Sequence, residues 1–371
     1  MSSKSCYNYQ SMTTNNQSDH TPDTTPTAKP ICKLGLDCHA ASIVAARQLE
    51  GSKPQPPQRF TARSFLSWVR KQVEKGYQVI SCYEAGPTGY WLHRRLDEMG
   101  VTNYVVCPTQ LDSRGKGVNT DKTDATELLV RLDRYVAGNT KAFSIVRVPT
   151  EAQEQKRAIS RQREQLRRKR LSFAAQGRML LLSQGHRWSN NWWCGIFWDK
   201  LKEEAPFWVL KRLEIFRTVI QCVNEQVDLL TLEVAKQAPP KLPKAMGALT
   251  HEIIEDEIKD WKHFKNRRQL GSYSGLTGGV SASGPRRADL SITKAGNRRL
   301  RVCLIECAWR MVWQQHDYWL VKKWQGVLLN PKVHTRRRKQ AIVAFARQLL
   351  IDIWKWKRGK VSPESLGWQM T

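Results

Sequence analysis

The sequence predicts an α/β domain built on a mixed sheet, followed by an all-α half. Three patterns predict it. Short apolar runs between residues 31 and 106 come first as a pair and then alternate with amphipathic helical stretches. A heptad of apolar residues then runs unbroken from Leu213 to Val234, and the chain from Pro239 onward is helical, closing on the strongly apolar stretch Ala341 to Trp354.

Taken in order, Met1 to Pro30 is rich in Ser, Thr, Asn, Gln and Pro, holds no apolar run, and is expected to be a disordered tail. Cys32 to Asp37 and Ser42 to Leu49 read as strands joined by a turn. A Pro-rich loop follows, then an amphipathic helix with Phe65, Val69 and Val73 on one face. Gln78 to Tyr83 is an apolar strand, Trp91 to Met99 a helix closed by Gly100, and Asn103 to Val106 another strand. A Gly-containing loop, Arg114 to Asn119, leads into a helix beginning near Asp121, and the first domain is placed at residues 31–150.

Past Pro149 the helices are long. Leu213, Ile220, Val227 and Val234 occupy one heptad position and Phe216, Val223 and Leu230 the other, the spacing of a coiled-coil seam. The expected partner line is Ala152, Ile159, Leu166, Phe173 and Leu180, with polar Gln162, Lys169 and Gln176 between them. Residues 151–238 are therefore read as a coiled-coil arm. Its tip carries Trp188, Trp192, Trp193, Trp198 and Trp208, suited to stacking nucleobases or to docking on another subunit, with the coiled coil favouring the subunit. Residues 239–371 form a helical domain interrupted by a Gly/Ser-rich loop between Gly271 and Gly284.

The chain carries 61 Lys and Arg against 33 Asp and Glu, a formal charge of +28 spread over most of its length. Such a field favours a polyanion, and phosphate backbones are the commonest one. The 15 Trp and 40% apolar content argue against a ribosomal or chromatin-type packing protein. The basic residues cluster as Arg286, Arg287, Lys294, Arg298, Arg299 and Arg301; as the run Lys156 to Arg170, opposed by Glu164 alone; and as His334 to Lys339 with Arg336, Arg337 and Arg338. Nine Cys without a C-x-x-C pair fit buried thiols of a reducing compartment, and Cys303 and Cys307, one turn apart with no His beside them, read as core. No stretch approaches the ~18 apolar residues of a membrane span, and the first 30 residues hold no signal-peptide segment, so a soluble intracellular protein without a membrane partner is expected.

Four acids stand out against that basic background. Asp37 and Glu84 follow apolar strands, while Asp121 and Asp124 lie three apart where a helix starts and so share one face. Acids at the ends of neighbouring strands are what a hard divalent cation needs, because Mg²⁺ takes oxygen ligands and bridges phosphate oxygens. A pair of such ions activates the attacking oxygen and stabilises the leaving one in phosphoryl transfer. Singly, each acid has an ordinary explanation as a turn, a solvated strand end or a helix cap; together they point to one site. His39 reads as a satisfied loop histidine or a phosphate contact rather than a fifth ligand.

The segments Gly35-Leu36-Asp37-Cys38-His39, Tyr83-Glu84-Ala85-Gly86-Pro87-Thr88-Gly89 and Asp121-Lys122-Thr123-Asp124-Ala125 together resemble the motifs of the DEDD-type insertion-sequence transposases. The amino-terminal domain of that family is similar to the Holliday-junction resolvases, so the resemblance implies a ribonuclease H-like, RuvC-like fold for the first domain, with Mg²⁺, two ions per site, on Asp37, Glu84, Asp121 and Asp124. The stretches Leu270 to Thr277, Ser281-Ala282-Ser283-Gly284 and Ile292 to Arg301 are similar to the family's second domain. There a serine just before a glycine is the nucleophile. The matching position is Ser283, with Ser281 and Ser291 as alternatives.

The resemblance covers roughly Lys33 to Gly359. It implies attack on a DNA phosphate, a covalent phosphoserine link, and a released 3′ hydroxyl that later reseals the strand. It also implies double-stranded DNA from element ends and target, a structured guide ("bridge") RNA encoded by the element, and residence at the bacterial nucleoid in the cytoplasm; because paired DNA ends need several active sites, a dimer or tetramer is expected. The chain departs from the pattern between Leu242 and Leu249, which keeps Gly247 but lacks a glycine-turn-glycine, and at Gly278-Gly279, where relatives often carry proline. The rival readings are a junction resolvase that uses water on the same acids, and a non-catalytic nucleic-acid-binding protein.

Overall fold

Apolar runs buried on both faces form an antiparallel hairpin of β1 (Ile31–Cys38) and β2 (Ile43–Leu49), with Leu36 opposite Ala45. The structure is a computed structural model and describes residues 29–107, 120–283 and 286–371. The expected tail before residue 29 and the expected loop Arg114 to Asn119 lie outside the described residues. Two compact units divide the chain, Met1–Val148 and Pro149–Thr371.

The first unit continues with β3 (Gln55–Phe60), α1 (Ala62–Glu74), β4 (Gln78–Glu84), α2 (Trp91–Asp97), β5 (Thr102–Val106) and α3 (Asp121–Val136). Its sheet has the order β3-β2-β1-β4-β5. β2 is antiparallel to both neighbours, whereas β1, β4 and β5 run parallel. The mixed sheet is thus as predicted, but β3 lies where a Pro-rich loop was expected. Pro56 and Pro57 weaken the strand signal, yet an edge strand has unpaired outer N–H groups to lose, and it tolerates them.

Strand alternation separates two faces. Cys32, Leu34 and Leu36 of β1 and Val79 and Tyr83 of β4 pack with Phe65 and Val69 of α1 and Leu92 and Leu96 of α2. The opposite parity faces α3: Ile80 and Cys82 meet Leu128 and Leu132, and Val44 and Ala46 meet Ala125 and Leu129. Lys33, on that second face, reaches Asp133 of α3 at 2.6 Å.

The second unit holds α4 (Glu151–Ser183), α5 (Gly195–Glu204), α6 (Phe207–Ala235), α7 (Ala248–Ile258), α8 (Arg267–Ser274), β6 (Gly278–Ser283), β7 (Arg286–Ile292), α9 (Arg298–Gln314), α10 (Trp319–Leu328), α11 (Thr335–Lys357) and α12 (Pro363–Leu366). α4 and α6 lie antiparallel, with Arg163 donating to Thr231 at 2.5 Å and Arg170 to Asn224. The predicted line Leu213, Ile220, Val227 and Val234 is buried on α6. On α4 the buried line is Ser160, Ala174, Gly177 and Leu181, one residue over from the expected Ile159, Phe173 and Leu180, which flank it half-buried. Of this line, Ala174 and Leu181 pack with Leu213 and Ile220 of α6, while the Ser160 hydroxyl donates to Asp256 of α7 at 3.2 Å. Gly177 also receives Trp192, since a Cβ there would sit 2.1 Å from the indole, whose N–H donates to the Ala174 carbonyl at 2.8 Å.

Trp192 and Trp198 are therefore core residues of the tip, while Trp208, Phe207 and Ile196 remain exposed. Of the stretch Gly271 to Gly284, expected to be a loop, residues 271–283 are instead the end of α8, a left-handed cap at Gly275 (φ 66°) and strand β6. Cys303 and Cys307 are buried in the core of this unit, as expected, and burial pushes the Cys307 thiol up to about 11. The apolar end of α11 lies in the same core. Among the described residues no helix is long and apolar enough to cross a membrane.

Candidate functional site

Parallel register brings the first two acids together. Leu36 of β1 pairs with Tyr83 of β4, and one residue further along each strand Asp37 and Glu84 emerge side by side on the face that α3 covers. α3 opens with a capping box: the Thr120 hydroxyl accepts from the Thr123 N–H at 3.3 Å, and the Thr123 hydroxyl accepts from the Thr120 N–H at 3.0 Å. That cap starts the helix at Asp121 and puts Asp121 and Asp124 in its first turn, where the helix dipole favours negative charge. Gly35 determines how close the turn comes. A Cβ on Gly35 would lie 2.3 Å from both the Ala125 carbonyl oxygen and the Leu129 nitrogen, so α3 rests backbone to backbone on β1 two residues before Asp37.

At the end of this contact His39 Nε2 lies 2.9 Å from Asp37 Oδ2 and 3.4 Å from Asp121 Oδ1. One ligand atom each from Asp37, His39 and Asp121 falls within 4.8 Å of the others, a spacing that can hold a metal ion. Arg59 of β3 donates to Asp121 Oδ2 at 2.5 Å and, from its other amino group, to the Ser42 hydroxyl at 2.8 Å. The Arg59 hydrogen bond holds the Asp121 carboxyl below the usual range.

The other two acids respond oppositely. Partial burial, then the charges of Asp124 and Asp37, push Glu84 up, with the Arg131 guanidinium opposing. Asp124 is raised by burial, then by Asp37, Glu127 and Asp121. Carboxylates that raise one another in this way crowd negative charge into one place, and a divalent cation relieves it. The donor set is mainly carboxylate oxygen, which fits a hard ion such as Mg²⁺. Of the four predicted acids, Asp37 and Asp121 fall with His39 within metal-ligand spacing, while Glu84 and Asp124 lie outside that group and are linked to Asp37 through their charges. His39, expected as a satisfied loop histidine or a phosphate contact, is bonded to Asp37, and Arg59, in a segment expected to be a loop, is the neighbour that sequence reasoning missed.

In the second unit, Ser283 ends β6, paired with Arg286 across the hairpin. The side chains of Ser283, Arg286 and Arg287, like Gly284, lie outside the described part. Lys294 and Arg298 are exposed beside the start of α9, as are Arg336 and Arg337 at the start of α11, with Arg338 half-buried. Arg301 donates to the Ser274 carbonyl at 2.9 Å.

Arg299 turns inward instead, meeting Glu257 at 3.2 Å and the Ser160 carbonyl at 2.8 Å. Glu257 also receives Arg157 at 3.5 Å, Arg161 at 3.3 Å and the Asn297 amide at 2.7 Å. Burial alone would raise its carboxyl; the Asn297 hydrogen bond and the Arg161, Arg157 and Arg299 charges hold it below the ordinary value. Much of the Lys156 to Arg170 run is occupied in the same manner. Lys156 pairs with Glu252 at 2.6 Å, and Arg167 and Arg168 pair with Glu164.

Residues 244–325, the span containing Ser283 and the basic residues up to Arg301, match the family described as Transposase IS116/IS110/IS902 family. The chain is 28% identical over 320 residues to the putative transposase y4rJ of Sinorhizobium fredii (strain NBRC 101917 / NGR234), covering 78% of this chain and 79% of that protein. It is 31% identical over 246 residues to the putative transposase y4qE of the same organism, covering 65% and 60%. Over 303 residues it is 23% identical to the transposase for insertion sequence element IS1533 of Leptospira borgpetersenii, covering 75% and 84%.

Proposed function

With kinship to the insertion-sequence transposases of the IS116/IS110/IS902 family as the premise, we propose that this protein cuts and rejoins DNA by metal-dependent phosphoryl transfer. The observation that carries this is the convergence of Asp37, His39 and Asp121 on one point, with Glu84 and Asp124 electrostatically coupled to Asp37. The hairpin-first strand order supports the ribonuclease H-like reading of the first unit. Asp37, Glu84, Asp121 and Asp124 would hold Mg²⁺, and His39 orients the Asp37 and Asp121 carboxylates. Bound ions supply charge stabilisation and activation of a hydroxyl nucleophile. Arg59 holds Asp121 in place from the sheet edge.

Ser283 is the proposed nucleophile. Its hydroxyl oxygen bonds to phosphorus as the phosphorus–O3′ bond breaks; the serine gives up its proton, and the departing 3′ oxygen takes one up. The product is a phosphoserine-linked 5′ end and a free 3′ hydroxyl, and reversal on another strand rejoins DNA. Lys294, Arg298, Arg336 and Arg337, exposed and basic, are suited to the DNA backbone. An exposed line on α6, Trp208, Ile215 and Leu229 at heptad spacing with Leu232 beside it, supports a homo-oligomer. A structured RNA from the same element belongs to this proposal through the family resemblance.

Denaturing electrophoresis of reactions on element-end DNA tests the chemistry. A protein–DNA adduct is expected, lost in Ser283→Ala and Asp37→Asn and kept in Ser281→Ala and Ser291→Ala. Cleavage without any adduct would instead indicate a resolvase using water.

A further inference from the structure

A cavity of about 1130 Å³ opens between α8, the base of the β6–β7 hairpin and α11. Among the described residues five cationic side chains line it: Arg267 and Arg268 from α8, and Arg336, Lys339 and Arg347 from α11. Among the described residues no carboxylate lines it and none of the five pairs with an acid. This contrasts with Arg157, Arg161 and Arg299 of the same unit, which converge on buried Glu257. Uncompensated cations gathered around a concavity create a focused positive potential that selects an anion. The floor between them is aliphatic, made by Leu276, Leu290, Ile292, Val343 and Ile351.

That combination discriminates between nucleic-acid forms. A duplex hides its base faces in the stack and offers phosphates and groove edges, for which an aliphatic floor has no use. An unpaired strand offers phosphates and bare base faces together. The volume exceeds the ~300–1,000 Å³ that encloses a drug-sized ligand, so a whole nucleotide fits with room for a neighbour. The strands that contribute Gly278, Leu290 and Ile292 to the groove are those whose far end carries Ser283, roughly 17 Å away at ~3.3 Å per residue. Groove and serine therefore belong to one ribbon.

We infer that this groove binds an unpaired DNA strand, with its phosphates on the arginines and lysine and its base faces on the aliphatic floor. The inference rests on the reading in which Ser283 acts on DNA, because cutting and rejoining frees one strand from its duplex near the break.

Fluorescence anisotropy on the full chain tests it, comparing a blunt DNA duplex with the same duplex bearing a short single-stranded DNA tail. Wild type is expected to bind the tailed probe about tenfold more tightly. Val343→Trp, which fills the floor, and Arg268→Ala, an exposed rim change that leaves the packing intact, should each remove that preference while blunt-duplex binding stays within about twofold. Equal binding of both probes by wild type, or an undiminished tail preference in both variants, overturns the groove and leaves the DNA reading standing. A stronger preference for an RNA tail, abolished by the same variants, overturns the assignment to DNA. Failure of wild type to bind either duplex overturns the transposase reading as well.

Discussion

Gly35 shows how one missing side chain assembles a site. It carries no chemistry, yet the backbone contact it permits sets the height of α3 and with it the positions of Asp121 and Asp124. Gly35→Ala forces a methyl into backbone atoms at 2.3 Å and is expected to cost at least ~1–3 kcal/mol, as overpacking does. It should also weaken Mg²⁺ or Mn²⁺ binding, measured by calorimetry, although no ligand changes; wild-type metal affinity in a destabilised variant would refute this role. The raised Glu84 and Asp124 carboxyls make a second expectation. A cation binds the ionised forms, so protons compete with it, and a raised pKa starts that competition at higher pH than for ordinary carboxyls. Metal affinity should therefore fall early on acidification. Asp124→Asn removes a charge that raises Glu84 and should shift the remaining pH dependence downward; an unchanged midpoint would speak against the coupling. Asp37 and Glu84 at strand ends, and Asp121 and Asp124 at a helix start, stand out in the sequence because they oppose the chain's basic trend. Arg59 does not, because an arginine in a basic chain is unremarkable until a fold places it on a carboxylate, and His39 stands out only as a loop histidine or a phosphate contact.

Among the elements, what was legible depended on whether burial leaves a one-dimensional trace. β1, β4 and β5 are apolar because the sheet buries them on both faces, and they read directly. β3 did not, because its two prolines suit an edge position that only the assembled sheet reveals. β6 and β7 were obscured by glycines and by exposed positions such as Val280 and Leu290. On α4 two adjacent lines both repeat every seven residues, and the more apolar one is the natural expectation; the helix instead meets α6 with Ala174 and Leu181, while Ser160 on the same line is bonded to Asp256 of α7 and Arg299 of α9. Glu257 fastens α4, α7 and α9 together, with α4 contributing Arg157 and Arg161 and α9 contributing Arg299. Its depressed pKa means the folded state binds the proton more weakly than the unfolded chain, so the stabilisation is full above the ordinary glutamate value of ~4.3 and is lost as pH falls through the folded value. Glu257→Gln should cost ~1–3 kcal/mol at neutral pH by taking the carboxylate from the partly buried Arg157 and Arg299 guanidiniums, and should flatten the acid limb of stability in urea titrations. An equally steep acid limb in the variant would place the titrating group elsewhere.

For the whole molecule, the charge of +28 overstates what is available to a partner. The densest basic run on α4 is largely matched within its own unit, leaving Lys294, Arg298, Arg336 and Arg337 among the exposed cations. The apolar line on α6 bears on assembly. Substituting Ile215→Lys together with Leu229→Lys should shift the protein to a smaller species in sedimentation at fixed concentration, while the buried line Leu213 to Val234 keeps the hairpin folded; an unchanged sedimentation coefficient would remove α6 from the interface. The seam between α4 and α6 has one more consequence. An apolar stripe of heptads can slide by seven residues and still match, but hydrogen bonds between particular side chains cannot. Slippage would part Arg163 from Thr231 and Arg170 from Asn224, and would draw the indole of Trp192 out of its notch at Gly177. The paired helices are in that sense a ruler cut to a single length, and whatever is mounted at the tip is presented at one fixed reach.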